Sequence, residues 1–126
     1  MKFITLEEVI AIHEAVLQQT GGRQGIHDFL LLHSAIERPK VTFGGHDLYK
    51  TIFQKAAALI HSLILNHPFE DGNKRTALLS AARFLKKNGY QLRPYPEAVQ
   101  FTLDIDQKRK NLEEIALWLK IHSKKG

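Results

Sequence analysis

KAAALIHSLILNHPFEDGNKRT, residues 55–76, joins an apolar tract to a proline stop and a polar turn that opens a second helix. Around it Ile52, Phe53, Ala56, Leu59, Ile60, Leu63 and Ile64 cover more than half of a helical circumference. That pattern predicts a central helix from Leu48 to Asn66, capped by Asp47 and surrounded by other helices. Pro68 ends it and leaves His67 at the turn. After Gly72 a second helix runs to Asn88, with Ala77, Leu78, Ala81, Phe84 and Leu85 facing inward and Gly89 closing it. Small alanines let the two helices approach closely. The expected fold is all-α, a compact bundle around a central helix-loop-helix.

The tip of that hairpin, HPFEDGNKRT from His67 to Thr76, holds more chemistry than a connection needs. An imidazole titrating near neutrality, such as His67, can take a proton from an attacking hydroxyl. Asp71 offers a hard oxygen ligand of the kind Mg²⁺ prefers, with phosphate oxygens and waters completing the shell. Gly72 permits a tight turn and a close approach to a ligand. Asn73, Lys74 and Arg75 fall on the first helical turn, where free amides and the positive end of the helix dipole favour an anion. Lys74 adds a mobile charge and Arg75 a planar fork suited to phosphate oxygens. Phe69, an aromatic between polar neighbours, is expected to anchor the loop to the core. Each residue alone is more often structural. A base, a metal ligand and an anion hole at one helix start point to a phosphate site.

HPFEDGNKRT resembles the signature of the Fic/Doc family, HPFx(D/E)GN(G/K)R, at every fixed position. GGRQGIHD, IERP, KAAALIHSLILNHPF, FLKKNGY and LEEIALWL extend the resemblance to the death-on-curing (Doc) branch over nearly the whole chain. It implies a small Fic/Doc-type helical bundle that transfers part of a nucleotide to a protein hydroxyl. By position, His67 would be the base, Asp71 the Mg²⁺ ligand, and Gly72, Asn73, Lys74 and Arg75 the phosphate-binding turn. In this family the region of Val41, Thr42 and Phe43 forms a flap that aligns the target segment by strand-like pairing.

Two residues depart from the nucleotidyl-transferring pattern: Lys74 stands where those members have Gly, and Leu78 where they have a second Arg. Lys74 adds bulk and charge where a ribose and α-phosphate would lie, and Leu78 removes a cation for the terminal phosphates. Doc shares both residues, and the resemblance implies a kinase that turns ATP round to present its γ-phosphate to a protein Ser or Thr. Such transfer depends mostly on positioning and charge stabilisation. Fic-type nucleotidyl (AMP) transfer is the alternative, and a catalytically inactive binding module the other. Many Fic proteins carry an inhibitory (S/T)xxxE(G/N) helix, yet no Glu here is followed by Gly or Asn. The resemblance therefore implies inhibition in trans by a Phd-like antitoxin, a disordered segment folding into a groove near the site. It also implies elongation factor Tu as target, and hence translation inhibition.

Composition sets the bounds. The 126 residues suit one domain, 1–126, with a proper core. The absence of cysteine excludes a disulfide framework and a thiol nucleophile, and fits a cytoplasmic protein. MKFITLEE turns acidic before an apolar run forms, so no secretory leader is expected, and the apolar tract is too short for a membrane span. The net charge of +5 comes largely from scattered pairs such as Lys86 with Lys87 and Lys124 with Lys125, without interleaved aromatics. Solvated helix ends explain these better than direct nucleic-acid binding.

Elsewhere, Thr5 and Glu8 form a capping box for a helix that Gly21 and Gly22 stop, with His13 on its apolar stripe as a buried, hydrogen-bonded residue. Asp28 caps a helix from Phe29 to Glu37, whose Leu30, Leu31 and Leu32 predict cover on more than one face. Tyr90 to Tyr95 is extended; Pro96 suits the first turn of a helix carrying Ala98, Val99, Phe101 and Leu103. Asn111 caps a last helix with Ile115 to Leu119 as its apolar run. Ser123 to Gly126 is expected to fray.

Overall fold

The computed structural model describes residues 1–126 and contains six α-helices with two small antiparallel sheets. Helix α1 spans Leu6–Thr20, α2 Phe29–Glu37, α3 Ile52–Leu65, α4 Asn73–Lys87, α5 Ala98–Asp106 and α6 Leu112–Ile121. Strands β1 (Thr42–Phe43) and β2 (His46–Asp47) form a hairpin; β3 (Tyr90–Leu92) pairs with β4 (Ser123–Lys125). No helix is long and apolar enough to cross a membrane.

Helices α3 and α4 form the centre. Ala56 and Ala57 on one and Ala77 and Ala81 on the other are fully buried, so their backbones pack closely. Around them Val9, Leu32, Phe84, Leu85, Phe101, Ile105, Ile115 and Leu119 complete one continuous apolar cluster. Trp118 extends it by stacking between Phe101 and His122, each at 3.8 Å between ring centroids. Glu8 closes the capping box of α1 with Thr5 and also receives Arg83 at 3.0 Å and Lys87 at 2.5 Å, which straps α1 to α4. Burial raises the carboxyl's pKa, but the hydrogen bonds from Lys87, Thr5 and Arg83 prevail and hold it down at about 2.

Several local expectations are corrected. The central helix begins at Ile52, capped by Thr51 in a reciprocal box with Gln54. Asp47 lies in β2 instead, its Oδ2 3.0 Å from the ammonium of Lys55, which is only 1% exposed and also donates to the Tyr49 carbonyl. A buried ammonium requires such partners, and that demand outweighs a capping role for Asp47. Helix α2 buries a single face through Leu32, Ala35 and Ile36, leaving Phe29, Leu30 and Leu31 exposed. Pro96 sits in the turn before α5, which starts at Ala98 and buries Phe101, Thr102 and Ile105 while Val99 faces solvent. Leu117 of α6 is exposed as well.

The C-terminus does not fray. Lys125, Lys124 and Ser123 pair with Tyr90, Gln91 and Leu92, and Gly126 N–H donates to the Gly89 carbonyl at 2.9 Å. Backbone pairing of this kind is indifferent to the basic side chains, so Lys124 and Lys125 decorate an edge strand rather than a helix end. His61 accepts from Arg38 Nη1 at 2.9 Å. Burial and that guanidinium lower its pKa, as befits a neutral flank residue.

Candidate active site

The loop from Asn66 to Gly72 is held along its length. The Pro68 carbonyl accepts from the N–H groups of His27 (2.7 Å) and Asp28 (3.1 Å), and Glu70 N–H donates to the Gly25 carbonyl at 3.1 Å. Residues 25–28 thus run beside the loop, with Ile26 and Phe69 forming an isolated bridge. Phe69 is buried and stacks on His13, with 3.8 Å between centroids and 9° between planes. His13 Nε2–H in turn donates to the Asp71 carbonyl at 2.8 Å, so this core histidine supports the loop directly. Asn73 closes the loop with two 2.9 Å bonds, accepting from Phe69 N–H and donating to the Phe69 carbonyl.

Two glycines make this geometry possible. Gly72 adopts φ 80°, ψ 17°, a left-handed conformation that costs other residues energy. At Gly22, two residues beyond the end of α1 and with φ 115°, an added Cβ would lie 3.1 Å from Asp71 Cβ, so the loop passes against a position that has no room for a side chain.

On its open side the loop presents polar groups of another kind. Thr76 N–H is the first in α4 to reach an acceptor, the Gly72 carbonyl at 3.0 Å, and no side chain caps the helix. The N–H groups of Asn73, Lys74 and Arg75 therefore point outward with the positive end of the dipole. Lys74 and Arg75 are exposed beside them. Gly72 to Arg75 form one end of a cavity of about 590 Å³ whose other walls include Leu78, Leu92, Pro94, Val99 and Trp118. His67 stands at the loop's start, with φ 45° and a side chain 53% exposed.

The residues of HPFEDGNKRT thus divide into two sets. Phe69 and the Asn73 side chain face inward and brace the loop, which commits the Asn73 amide oxygen and one of its two N–H groups there. His67, Lys74 and Arg75 face solvent. Asp71 lies between: its Oδ2 accepts from Arg23 N–H at 2.6 Å and stands 3.7 Å from Arg23 Nε, while its Oδ1 accepts no hydrogen bond within the chain. No group of three or more His, Cys, Asp or Glu side chains is gathered to hold a metal ion.

Val41, Thr42 and Phe43 lie in or next to the β1–β2 hairpin, where Thr42 pairs with Asp47 and Phe43 with His46. Phe43 is 81% exposed. Roles without a direct reading in the sequence are those of Arg23 and residues 25–28 as supports of the loop and, above all, that of Asp106, whose Oδ1 lies 3.1 Å from His67 Nε2. GGRQGIHD signalled the first two by its glycines. Nothing local marked Asp106.

A mainly helical scaffold thus holds an uncapped, cation-flanked helix start whose Lys74 shares the Asp106 carboxylate with the exposed His67, an arrangement of the kind found in small helical transferase domains. The chain belongs to the Fic/Doc family, in its Doc branch: the family model described as Fic/DOC family matches residues 3–85. Among relatives, Toxin Doc of Mycolicibacterium smegmatis is 43% identical over 96 residues, covering 76% of this chain and 68% of that protein. Protein kinase doc of Escherichia phage P1 is 34% identical over 103 residues, 82% of this chain and 81% of its own length.

Proposed function

We propose that this chain is a Doc-type toxin that transfers the γ-phosphate of ATP to a serine or threonine hydroxyl of a cytoplasmic protein. The observation that carries this reading is the start of α4, where three N–H groups without intrahelical acceptors, Lys74 and Arg75 share one end of a cavity, and Lys74 and His67 reach the same Asp106 carboxylate. The names of the two relatives, a toxin and a protein kinase, agree with it.

In this mechanism the β- and γ-phosphates rest against the N–H groups of Asn73, Lys74 and Arg75, and the Arg75 guanidinium grips their oxygens. His67 accepts the proton of the target hydroxyl. The hydroxyl oxygen forms a bond to the γ-phosphorus, the bond from that phosphorus to the β–γ bridging oxygen breaks, and ADP leaves. Asp71, with Oδ1 unoccupied by the chain, would hold Mg²⁺; one carboxylate with phosphate oxygens and waters is a donor set that suits this ion. When bound, Mg²⁺ neutralises charge developing on the phosphates.

The β1–β2 hairpin, with Val41, Thr42 and Phe43, aligns the target by edge pairing, and the proposed target is a translation factor, elongation factor Tu by family resemblance. A Phd-like antitoxin silences the enzyme by folding a segment over the cavity opening.

Nucleotide labelled at the γ- or the α-phosphate tests the reaction, using purified protein with Mg²⁺ and no antitoxin. Target labelled only from the γ position is the expected result. Label from the α position would overturn the kinase reading in favour of AMP transfer, and label from neither would leave a binding module. His67→Ala is expected to lower transfer by about 10²–10⁴-fold with an unchanged melting temperature.

A further inference from the structure

Asp106 is the last residue of α5 and its side chain is only 23% exposed. A carboxylate there opposes the negative end of its own helix dipole, so its environment has to supply compensating positive charge or donors. Two residues of the motif do so. His67 Nε2 lies 3.1 Å from Oδ1, and Lys74 Nζ 3.8 Å from Oδ2. The position is firm, because Phe101 and Ile105 root α5 in the core and Phe101 stacks on Trp118.

The chemistry of this contact selects one form of the imidazole. A carboxylate is an acceptor only, so a neutral ring with Nε2 3.1 Å from it is favoured to carry its proton on that nitrogen, where the N–H rather than a lone pair faces the charge. The lone pair is then on Nδ1, which has no hydrogen-bond partner within the chain. The backbone of His67 sits at φ 45°, an uncommon region for a residue with a side chain, and is stable only where its surroundings hold it. Asp106 is the one charged group that meets the ring, at Nε2.

The geometry points to Asp106 as a positioning residue that locks His67 in the Nε2–H tautomer, leaving Nδ1 as the base, and shares its second oxygen with Lys74. The base role rests on the function proposed above; the tautomer does not. Removing Asp106 releases both groups. The ring then samples both tautomers and other rotamers, so the chemical step slows, while Lys74 becomes freer to meet phosphate.

Imidazole ¹⁵N spectra of the whole chain, recorded where the ring is neutral and assigned by the signal lost in His67→Ala, test this directly. Expected are an Nε2-protonated ring in the wild type and a tautomer mixture in Asp106→Ala. With ATP and target, kcat for Asp106→Ala is expected to fall about 10- to 100-fold, part of what a general base supplies, with KM for ATP unchanged or lower. Asp106→Leu, similar in volume and without an acceptor, repeats the measurement should the alanine variant be unstable. An Nδ1-protonated wild-type ring, an unchanged tautomer in the variants, or faster transfer without Asp106 would each overturn the proposal. If wild type transfers no phosphate, the spectra still decide the tautomer, and it is the kinase reading that fails.

Discussion

The hairpin of β1 and β2 and the loop from Asn66 to Gly72 lie at opposite ends of α3, and they are held in different ways. The loop is bonded to residues 25–28, to His13 and to Asn73, and buries Phe69 under it. The hairpin exposes all four of its strand residues and is fixed near its base by Lys55, through Asp47 and the Tyr49 carbonyl. A site that must place a proton acceptor and a phosphate within a fraction of an ångström needs support on every side. A surface that pairs with a partner's backbone needs free N–H and C=O groups instead.

Breaking the loop's support has the largest expected effect. Phe69→Ala removes a buried ring and its stacking on His13, and should cost about 3–5 kcal/mol in urea unfolding. A loss below about 1 kcal/mol would show that the ring is not what holds the loop. Asn73→Ala leaves the Phe69 N–H and carbonyl without partners, an expected loss of about 2–4 kcal/mol accompanied by loss of transfer.

On the other side of the comparison, Lys55→Met keeps the buried stem but deletes the bonds to Asp47 and Tyr49. About 1–3 kcal/mol is expected, with amide exchange quickening at residues 42–49 and hardly changing in α3. Uniform quickening would mean that the lysine serves the core rather than the hairpin.

Glu8 ties the start of α1 to the C-terminal end of α4, away from the loop, and gives the framework a pH dependence. Its folded pKa of about 2 lies below the ordinary carboxyl value of 4.5, so its contribution is present above pH 4.5 and fades as pH falls towards 2. Glu8→Gln should therefore destabilise by about 1–2 kcal/mol at neutral pH, after discounting for solvent screening, with the difference from wild type closing in acid. A difference constant down to pH 2 would place the effect in packing instead. The smallest change in stability belongs to Phe43→Ala, within about 0.5 kcal/mol of wild type for so exposed a residue. Its expected consequence is functional: weaker labelling of the protein target with unchanged ATP affinity.

Much of the local framework was legible because its causes are local. Thr5 with Glu8, Asp28 and Asn111 cap the helices they were expected to cap, and α2 ends at Glu37 where Pro39 forbids continuation. The box of Thr51 with Gln54 has the same local form, and Asp47, four residues earlier, offers a second candidate cap in the sequence. Its engagement by a lysine buried within α3 has no signature in the sequence next to it.

By itself the chain's order of residues determined the helices, the motif's place between α3 and α4, and the family, since periodicity, caps and a contiguous signature depend on near neighbours. Only the tertiary structure decided that the Asn73 side chain turns inward beside Phe69, that Ser123–Lys125 closes a strand pair with Tyr90–Leu92, and that Asp106 meets His67. Those contacts join segments far apart in the chain, through backbone bonds or single carboxylates. Their energies arise only when the packed core brings the partners within reach.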